Sequence, residues 1–499
     1  MKRREAIAII DIGSNSGRVV VYAADETGRL RLLAGTRAAL RLVNDVDEKH
    51  VLGRHAVDGA LEALRDFRAV ALGAGATRIR AVATAAMRDA SNGAAFIARV
   101  RKELRIAIEI IDGEQEAEYG FRGALRGLPV EHGLLFDLGG GSLQVSQFRH
   151  RRLLRAWSLP LGALRLSHHF LTSDPPRPAQ LHRLGHHVRE QLDQAGIPRL
   201  ERLQTLIGTG GTVRNLAKID RRSRSYPIAR VHGYVLSRRG LKDVAASLAE
   251  QREGQREEVA GLSDERSDSI VGGAVTLSAL TERVGASAIL VAGQGVREGI
   301  AYDTVDSSLP TVAAIREQAI GSLASRFDTF RPGAARRRAR LARNILERLD
   351  PGASGETHEA MSYGARLLDI GRSIDFFDRH RHAATIAIET ELDGFTHREL
   401  ALTAALMRAA GKEKVRARDW RPLIEETEED GLERAAIALA LADAIEERLR
   451  PGRSPALDWR LGKRRVELSI PGLLAWRAGA LDRRFRRAFE RDLVVRARA

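Results

Sequence analysis

The stretch that decides the fold is GLLFDLGGGSLQVSQF, residues 133–148. An apolar run ends in an Asp, three glycines and a Ser follow, and an alternating apolar segment leaves the turn. Residues 7–22, IAIIDIGSNSGRVVVY, repeat much of this pattern. Each copy predicts a buried strand that ends in an acid, a tight turn of small residues and a second strand.

The two copies align with Asp11 on Asp137, an offset of 126 residues. The same alignment places Gly13 on Gly139, Ser16 on Ser142 and Val19 on Val145. Self-similarity at a spacing of about one small domain indicates an internal duplication. We therefore expect two related α/β domains that face each other.

The chain up to about residue 300 alternates strand and helix patterns, which is typical of an α/β protein. Helical patterns cover 55–72 and 91–104. Short apolar or β-branched runs predict buried strands at 6–12, 79–86, 106–112, 133–138, 203–208 and 287–292.

After about residue 304 the chain is rich in Ala, Leu, Arg and Glu with a helical period, and a domain boundary is predicted at 304–312. Turn-rich connectors are expected at 350–355 and 450–455, and a short strand at 465–470. The predicted amphipathic helices are 312–328, 333–348, 355–371, 397–410, 432–449 and 473–491.

The composition excludes several protein classes. The 499 residues are too many for one core and predict two to four domains. The chain contains no Cys, which excludes a disulfide framework and thiolate metal sites. No apolar run approaches the ~18 residues of a membrane span, and the run after the basic N-terminus reaches Asp11 too soon for a signal peptide. A soluble cytoplasmic protein without a membrane partner is predicted.

The net charge is +16, and 73 of the 81 basic residues are Arg. The charge indicates an anionic partner such as a nucleotide or a phosphate polymer, while a bias toward Arg and Ala with solvated helix faces explains it equally well. Aromatic residues make up only 5% of the chain, which disfavours a protein that stacks single-stranded bases, and we expect no specific nucleic-acid partner.

Turns of small residues between strands expose backbone N–H groups that can converge on an anion, and an acid at the strand end can hold a divalent cation. A third turn of this kind lies at 205–216, TLIGTGGTVRNL, where a strand passes through glycines into a helix start. Three such turns, two of them with a strand-end Asp, indicate a phosphate site much more strongly than one.

Two further segments fit a phosphate site. VATAAMRDASN (82–92) ends a strand and supplies Arg88, which is either a phosphate ligand or an ordinary surface arginine. IIDGEQEAEYGFRGAL (110–125) opens a helix with Glu114, Glu116 and Glu118. Acids at a helix start complement the macrodipole, and one of them could instead serve as the general base for an attacking water.

Nine stretches that occur in order over about 300 residues resemble the exopolyphosphatase/guanosine-pentaphosphate phosphatase family. They are DIGSNSGRVVVY (11–22), VATAAMRDASN (82–92), DGEQEAEYGFRGAL (112–125), FDLGGGSLQVSQF (136–148), SLPLGALRL (158–166), IGTGGTVRNLA (207–217), VHGYVLSR (231–238), ERSDSIVGGA (265–274) and VAGQGVREGI (291–300).

This resemblance implies an α/β fold of two duplicated actin-like, ribonuclease H-like domains followed by a mostly α-helical HD-like region. We expect the domains at 1–126, 127–304 and 305–499. The implied reaction is hydrolysis of the terminal phosphate of linear inorganic polyphosphate, or of the 5′-terminal γ-phosphate of guanosine pentaphosphate. The implied cofactor is Mg²⁺, and the implied assembly is a homodimer.

The resemblance also implies roles for single residues. Glu116, which precedes Ala in the Gly-x-x-Glu-Ala segment, deprotonates the attacking water, while Asp11 and Asp137 organise Mg²⁺. The implied phosphate-binding residues are Gly13, Ser14, Asn15, Ser16, Arg88, Gly139, Gly140, Gly141, Ser142, Gly208, Thr209, Gly210, Gly211 and Thr212. Catalysis then consists of positioning and of neutralising charge on the transferred phosphoryl group.

The sequence departs from the family in two places. The usual Asp-x-Gly-Gly-Gly-Ser-x-Glu ends here in Gln144, a candidate metal ligand that adds no negative charge. In the HD-like region Leu368 stands where an HD-type phosphohydrolase has the first His, and Asp369 with His380 and His382 is a poor metal set. We therefore predict no second metal site. The basic stretch 335–343 could instead line a channel for a long polyanion.

Other functions remain open at this point. One is a weakly active sensor that binds polyphosphate or the alarmone, with a site weakened by Gln144. Another is a kinase or ATPase on the shared superfamily fold. Retention of Asp11, Glu116 and Asp137 favours a hydrolase over the sensor.

Overall fold

The computed structural model describes residues 6–25, 28–42, 50–305, 308–449, 456–471, 473, 476 and 479–498. The chain divides into two compact units. The first contains the residues up to Ser225 together with Arg230–Gln318, and the second contains Tyr226–Ala229 and the residues from Ala319 onward. The predicted connector at 450–455 lies outside the described residues.

The first unit begins with a five-stranded sheet in the order β3-β2-β1-β4-β5. Strand β1 is buried on both faces, and it pairs antiparallel with β2 and parallel with β4. The elements of this half are β1 (Ala6–Ile12), β2 (Ser16–Ala24), β3 (Leu30–Ala39), α1 (Arg54–Gly73), β4 (Ala76–Ala83), α2 (Ala85–Asp89), α3 (Gly93–Leu104), β5 (Ile108–Ile110) and α4 (Gly113–Gly127).

A six-stranded sheet follows, in the order β10-β11-β9-β6-β7-β8. Its elements are β6 (His132–Leu138), β7 (Leu143–Arg149), β8 (Arg152–Leu159), α5 (Ala163–Phe170), α6 (Pro178–Gln194), β9 (Thr205–Thr209), α7 (Gly211–Ser223), β10 (Val235–Ser237), α8 (Arg238–Ala249), α9 (Glu253–Glu257), a 3₁₀ turn at Asp264–Arg266, α10 (Ile270–Arg283), β11 (Ala288–Val291) and α11 (Val296–Val305).

The two sheets repeat one topology. In each sheet, three consecutive strands pair antiparallel with one another. A later strand then pairs parallel with the first of the three, and a further strand pairs parallel with that one. The resulting strand order is 3-2-1-4-5 in the first sheet and 8-7-6-9-11 in the second. Asp11 and Asp137 stand one residue before the ends of the equivalent strands β1 and β6. The predicted duplication is therefore present in the fold.

Helices α4 and α11, each of which follows the last parallel strand of its sheet, pack directly on one another. A Cβ on Gly123 would lie 2.0 Å from the carbonyl oxygen of Gly295, and a Cβ on Gly299 would lie 1.9 Å from that of Tyr119. Only glycine allows this approach. The close packing brings the first turn of α4 and the first turn of α11 to the same region as the ends of β1 and β6.

The second unit is mainly helical, with a small sheet in the order β12-β13-β14. A single apolar core runs through it, and its buried residues include Met361, Leu406 and Leu439. Its elements are the end of α12 (Val312–Ala324), α13 (Pro332–Leu349), α14 (Gly355–Leu367), 3₁₀ turns at Leu368–Ser373, Ala417–Trp420 and Glu426–Glu428, α15 (Arg379–Glu389), α16 (His397–Ala410), α17 (Glu429–Glu446), β12 (Asp458–Leu461), β13 (Arg465–Pro471), α18 (Ala480–Phe489) and β14 (Asp492–Arg498).

The predicted fold class, α/β sheets followed by a mostly helical region, is confirmed, and so is the strand at 465–470. Several boundaries differ; the helix predicted at 312–328, for example, ends at Ala324. The strand predicted at 79–86 ends at Ala83, because Ala85 begins a short helix. The helix predicted at 355–371 changes to a 3₁₀ turn at Leu368. The helix predicted at 473–491 begins only at Ala480 and ends at Phe489, where Glu490 adopts the left-handed conformation before β14.

Candidate active site

Asp11 and Asp137 carry the carboxylates at the centre of the site. Burial raises the pKa of Asp11, although Arg297 and Arg18 act in the opposite direction. Burial also raises the pKa of Asp137, with Arg214 opposing it and Asp11 adding to it. The two acids are half-buried and repel each other, a situation that a bound cation relieves.

The two hairpin loops after these acids share one conformation. The N–H of Gly13 donates to the Ser16 carbonyl at 3.1 Å, and the N–H of Gly139 donates to the Ser142 carbonyl at 3.0 Å. Each bond closes a loop of two residues, Ser14-Asn15 in one copy and Gly140-Gly141 in the other. A Cβ on Gly140 would lie 3.1 Å from the Cβ of Asn15, so the two loops face each other.

The backbone of these loops leaves donors free. The Asn15 carbonyl accepts from the N–H groups of Leu40 and Arg41, and the Gly140 carbonyl accepts from those of Leu164 and Arg165. In the part of the chain that the structure describes, the N–H groups of the four loop residues, Ser14, Asn15, Gly140 and Gly141, have no acceptor. Converging backbone N–H groups of this kind form an anion-binding concavity.

The third glycine turn meets Asp137. Strand β9 ends at Thr209, and Gly210, at φ +98°, turns the chain into α7. A Cβ on Gly210 would lie 2.6 Å from Oδ1 of Asp137, and Gly208 packs against Phe136. The N–H groups of Gly211 and Thr212 lie in the first turn of α7, where no carbonyl of the helix can accept from them.

The side chains of two threonines in this turn form contacts inside the protein. The Thr209 hydroxyl donates to the Gln294 carbonyl at 3.0 Å. Thr212 is buried, and a Cβ on Gly273 would lie 2.4 Å from its methyl carbon. Both side chains therefore hold the turn in place, and Thr212 can in addition offer its backbone N–H, in the first turn of α7, to an anion.

Glu116 lies in the first turn of α4, which begins at the N-cap Asp112. The Asp112 side chain accepts from the N–H groups of Glu114 and Gln115, which explains why the helix starts here. Burial, Asp137 and Asp11 together raise the pKa of Glu116 to about 8, and Arg88 opposes them. Glu116 thus shares its electrostatic environment with both strand-end acids, whereas Glu114 is exposed.

Arg88 and Gln144 both lie beside Glu116. Arg88, on the short helix α2, donates to the Ile111 carbonyl at 2.9 Å from one Nη. Gln144, on β7, donates from Nε2 to the Glu116 carboxylate at 3.2 Å and to the Ser142 hydroxyl at 2.7 Å. The structure therefore brings together every region of the chain that was predicted to contribute to the site.

Four arginines that the sequence analysis did not single out surround the carboxylates. Arg18 stands opposite Asp11 in the β1–β2 register, and burial, Arg297 and Arg214 lower the pKa of Arg18 to about 10. Burial also lowers the pKa of Arg214 and that of Arg266. The Arg266 guanidinium lies directly against Gly211, since a Cβ there would be 2.0 Å from one Nη.

The fourth arginine, Arg297, is held at the start of α11. One Nη lies 3.8 Å from the Asp11 carboxylate. Burial alone would lower the pKa of Arg297, but Glu298 and Asp11 raise it above its ordinary value. Glu298 in turn accepts from the Tyr22 hydroxyl at 2.6 Å and from the Gly295 N–H at 2.7 Å, so its charge is already satisfied.

The site therefore contains two sets of charges of opposite sign. Burial is the main cause that raises the pKa values of Asp11, Asp137 and Glu116. Burial is also the main cause that lowers the pKa values of Arg18, Arg214 and Arg266, and neighbouring arginines add to this lowering. A ligand that brings a divalent cation together with a polyanion satisfies both sets.

Comparison with known proteins identifies the family at this point. The Ppx/GppA phosphatase family model matches residues 20–308, and the model of Ppx/GppA phosphatase domain III matches residues 315–467. The chain belongs to the Ppx/GppA phosphatase family. The family predicted from the motifs is thus confirmed, and the protein is a phosphatase by family.

Named relatives agree with the Ppx/GppA assignment. Exopolyphosphatase 1 of Mycobacterium tuberculosis is 29% identical over 318 residues, which cover 63% of this chain and 92% of the relative. Exopolyphosphatase 2 of the same organism is 31% identical over 314 residues, covering 59% of this chain and 97% of the relative.

Solved structures support the same fold for the Ppx/GppA part of the chain. The crystal structure of an exopolyphosphatase from Cytophaga hutchinsonii superposes with a TM-score of 0.57 at 27% identity, covering 60% of this chain and 98% of that one. The Aquifex aeolicus Ppx/GppA family member gives a TM-score of 0.53 at 26% identity, covering 60% and 97%. The actin-like fold class is therefore confirmed.

The region matched by Ppx/GppA domain III contains a buried ion cluster around Asp369. Arg338 donates from Nη2 to both carboxylate oxygens of Asp369, at 3.0 and 2.9 Å, and its Nε lies 2.8 Å from Asp443. Asp443 also accepts from Arg379 at 2.6 Å and contacts His380 at 3.2 Å. Arginine side chains therefore occupy the space between the two acids.

Two details bear on the HD-like prediction. His380 contacts Asp443, and His382 lies near the exposed Asp375. Asp369, His380 and His382, the residues that the sequence analysis considered a poor metal set, therefore do not come together as one group.

The arginines of the basic stretch 335–343 on α13 fall into two groups, those in ion pairs and those with exposed side chains. Arg337 forms an ion pair with Glu446 at 2.6 Å, and Arg338 belongs to the buried cluster. Arg336, Arg340 and Arg343 have exposed side chains. The proposed polyanion channel thus concerns these three exposed arginines only and stays a prediction.

No helix among the residues that the structure describes is long and apolar enough to cross a membrane.

Proposed function

We propose that this protein is an exopolyphosphatase, which hydrolyses the terminal phosphate of linear inorganic polyphosphate with the assistance of Mg²⁺. The observation that carries the proposal is the coexistence, within one site, of carboxylates with raised pKa values and arginines with lowered ones. The relatives named as exopolyphosphatases support the choice of substrate.

The loops bind the terminal phosphate in this proposal. Ser14, Asn15, Gly140 and Gly141 direct free N–H groups toward it, and the first turn of α7 adds those of Gly211 and Thr212. The arginines at the rim neutralise the following phosphates of the chain. Such backbone donors bind the anion without a side-chain entropy cost and keep the phosphorus in a fixed place.

Asp11 and Asp137 fit a magnesium ion. They are oxygen donors, they lie at equivalent strand ends, and burial raises the pKa of each, a rise that a bound divalent cation would oppose. A bound Mg²⁺ supplies charge neutralisation on the phosphoryl oxygens. The two aspartates would hold it, and Arg297 limits the negative charge that Asp11 presents.

Glu116 activates the water. Of the three carboxylates Asp11, Asp137 and Glu116, that of Glu116 lies on a helix and not at a strand end. Only one of its oxygens has a hydrogen-bond partner among the described residues. The other oxygen is free to accept the proton of a water that attacks the terminal phosphorus. The released phosphate and the shortened chain are the products.

The test is phosphate release from long-chain polyphosphate in the presence of Mg²⁺, comparing the wild type with Glu116→Gln. Loss of a general base is expected to lower kcat about 10²- to 10⁴-fold. Glu114→Gln is the matched control, because Glu114 is exposed two residues earlier on the same helix, and it is expected to keep the wild-type rate. Equal rates for wild type and Glu116→Gln would contradict the proposal.

Guanosine pentaphosphate, the alternative substrate, is assayed side by side with polyphosphate under the same conditions. If kcat/KM is higher for guanosine pentaphosphate than for polyphosphate, guanosine pentaphosphate is the preferred substrate. The roles proposed for Glu116, Asp11 and Asp137 stay the same in that case. Slow, Glu116-independent release from both would favour a sensor. The homodimer and the division at residues 126 and 304 are kept as part of this proposal.

A further inference from the structure

Gln144 occupies a central place in the second sheet. In the β6–β7 register it stands opposite Asp137, and in the β7–β8 register it stands opposite Ser158. Its side chain is only 2% exposed. A buried side-chain amide needs hydrogen-bond partners, so the atoms that surround the Gln144 amide indicate what this side chain does.

Three acceptors surround Nε2 of Gln144. They are Oε2 of Glu116 at 3.2 Å, Oγ of Ser142 at 2.7 Å and Oγ of Ser158 at 3.5 Å. The amide nitrogen can only donate and cannot ligate a metal, and of the two amide atoms only Oε1 of Gln144 could do so. The contact with Glu116 through Nε2 therefore has Gln144 as the donor.

We propose that Gln144 is a positioning residue that holds the Glu116 carboxylate by its side-chain amide, and that it is not a ligand of the metal. The inference rests on the role proposed for Glu116. The bond fixes Oε2 and leaves Oε1, which has no hydrogen-bond partner among the described residues, as the oxygen that accepts from the water.

The surroundings of the bond are rigid enough for this role. A Cβ on Gly113 would lie 2.5 Å from the Cβ of Ser158, so the first turn of α4 is pressed against β8. The same Ser158 lies beside Gln144. The contact of Gly113 with the Ser158 side chain therefore places Glu116, on the helix, close to Gln144, on the neighbouring strand.

A glutamate at position 144, as in the usual family pattern, would act differently. Its carboxylate would stand about 3 Å from that of Glu116, where two like charges cannot both be ionised without a cation or a shared proton. The neutral amide avoids this repulsion. The difference in charge therefore changes what the side chain at this position does for Glu116.

The experiment is a double-mutant cycle on polyphosphate hydrolysis at saturating Mg²⁺, with Gln144→Met, Glu116→Gln and the double variant. Gln144→Met keeps the length of the side chain and removes the donor. We expect kcat to fall about 10- to 100-fold with KM for polyphosphate changed less than about two-fold, because misplacement of a catalytic group affects turnover and not binding. In the Glu116→Gln background, Gln144→Met is expected to cause no further loss.

A second measurement separates positioning from metal binding. Calorimetric titration with Mg²⁺ alone is expected to give the same dissociation constant for wild type and Gln144→Met. Ser146→Ala, on the same face of β7 and buried without a hydrogen-bond partner for its hydroxyl, is the control and is expected to keep the wild-type kcat. Should Gln144→Met fail to fold, Gln144→Leu equally lacks the donor, adds no charge, and enters the same cycle.

Two results would overturn the inference while the proposed function stands. One is a further loss of kcat in the Glu116→Gln background that equals the loss in the wild type. The other is weaker Mg²⁺ binding by Gln144→Met with kcat restored by excess Mg²⁺, which is the behaviour of a metal ligand. A wild-type kcat for Glu116→Gln alone would overturn the proposed function itself, and the positioning role with it.

Discussion

Replacing Arg338 by Met tests the buried ion cluster of the second unit. The guanidinium of Arg338 donates to the Asp369 carboxylate and, at 2.9 Å, to the Ala365 carbonyl, and it forms an ion pair with Asp443. The substitution therefore removes a donor from two buried groups and an ion-pair partner from a third. Met fills most of the space of the Arg stem, which keeps the cavity small. The loss in the free energy of unfolding therefore reports mainly the removal of the positive charge that compensates the buried acids.

The magnitude follows from what remains around each acid. Removing one partner of a buried ion pair costs about 3–5 kcal/mol. Asp443 keeps Arg379 at 2.6 Å and His380 at 3.2 Å, and Asp369 keeps Arg372 at 2.9 Å. Because each acid retains at least one arginine, we expect a loss near the lower end of this range, about 3 kcal/mol in the free energy of unfolding.

Urea unfolding followed by tryptophan fluorescence measures this loss. Trp420, Trp459 and Trp476 lie in the second unit and only Trp157 lies in the first, so the signal reports mainly on the unit that contains the cluster. With a urea dependence of about 1–3 kcal/mol per molar, the midpoint is expected to fall by about 1 M or more.

The control is Arg336→Met, two positions earlier on α13 and exposed, which is expected to change the unfolding free energy by less than about 0.5 kcal/mol. A loss below about 1 kcal/mol for Arg338→Met would refute the reasoning, since it would mean that the guanidinium does not compensate the buried acids. A chelator that destabilises the wild-type unit would refute it as well, because the acids would then hold a metal.

Two further predictions concern single groups. Gly210→Ala places a methyl group 2.6 Å from Asp137 Oδ1 on a residue with φ +98°, so phosphate release from polyphosphate is expected to fall at least about 100-fold, while tryptophan fluorescence of the second unit still gives the wild-type urea midpoint. Burial would raise the pKa of Asp443, but Arg338, His380 and Arg379 lower it far below its ordinary value. The stability that this charge contributes is complete above the ordinary pKa of 3.8 and is lost as the pH falls toward the lower folded value, so acid unfolding below pH ~4 is expected to be less steep in Asp443→Asn than in the wild type.

The duplicated fold could be predicted because its signal is local. Each copy contains a strand, an acid at its end and a turn of small residues within about fifteen positions, and both turns close the same two-residue hairpin. Strands β3 and β8 escaped the prediction because most of their side chains are not buried and show no clear alternation. Their place is decided by pairing with β2 and β7, which depends on residues elsewhere in the chain.

The ring of arginines could not be predicted for a different reason. The chain contains 73 arginines, so a single Arg carries no signal of its own. Arg297 reaches Asp11 from 286 positions further along the chain, and Arg266 reaches Gly211 from a 3₁₀ turn. Only the packing of α11 on α4 and β1 gives Arg297 its neighbours, and that packing depends on Gly123 and Gly299.

Arg18 and Gln144 explain how one duplicated unit becomes an asymmetric site. The offset of 126 residues that aligns Asp11 with Asp137 also aligns Arg18 with Gln144, and each stands opposite the Asp of its own copy in the hairpin register. An Arg at 144 would neutralise Glu116 and suppress its action as a base. A Gln at 18 would remove a cation from the rim that faces the polyanion. The first copy therefore supplies charge to the substrate, and the second supplies a neutral donor to the base, although both use the same position of the same fold.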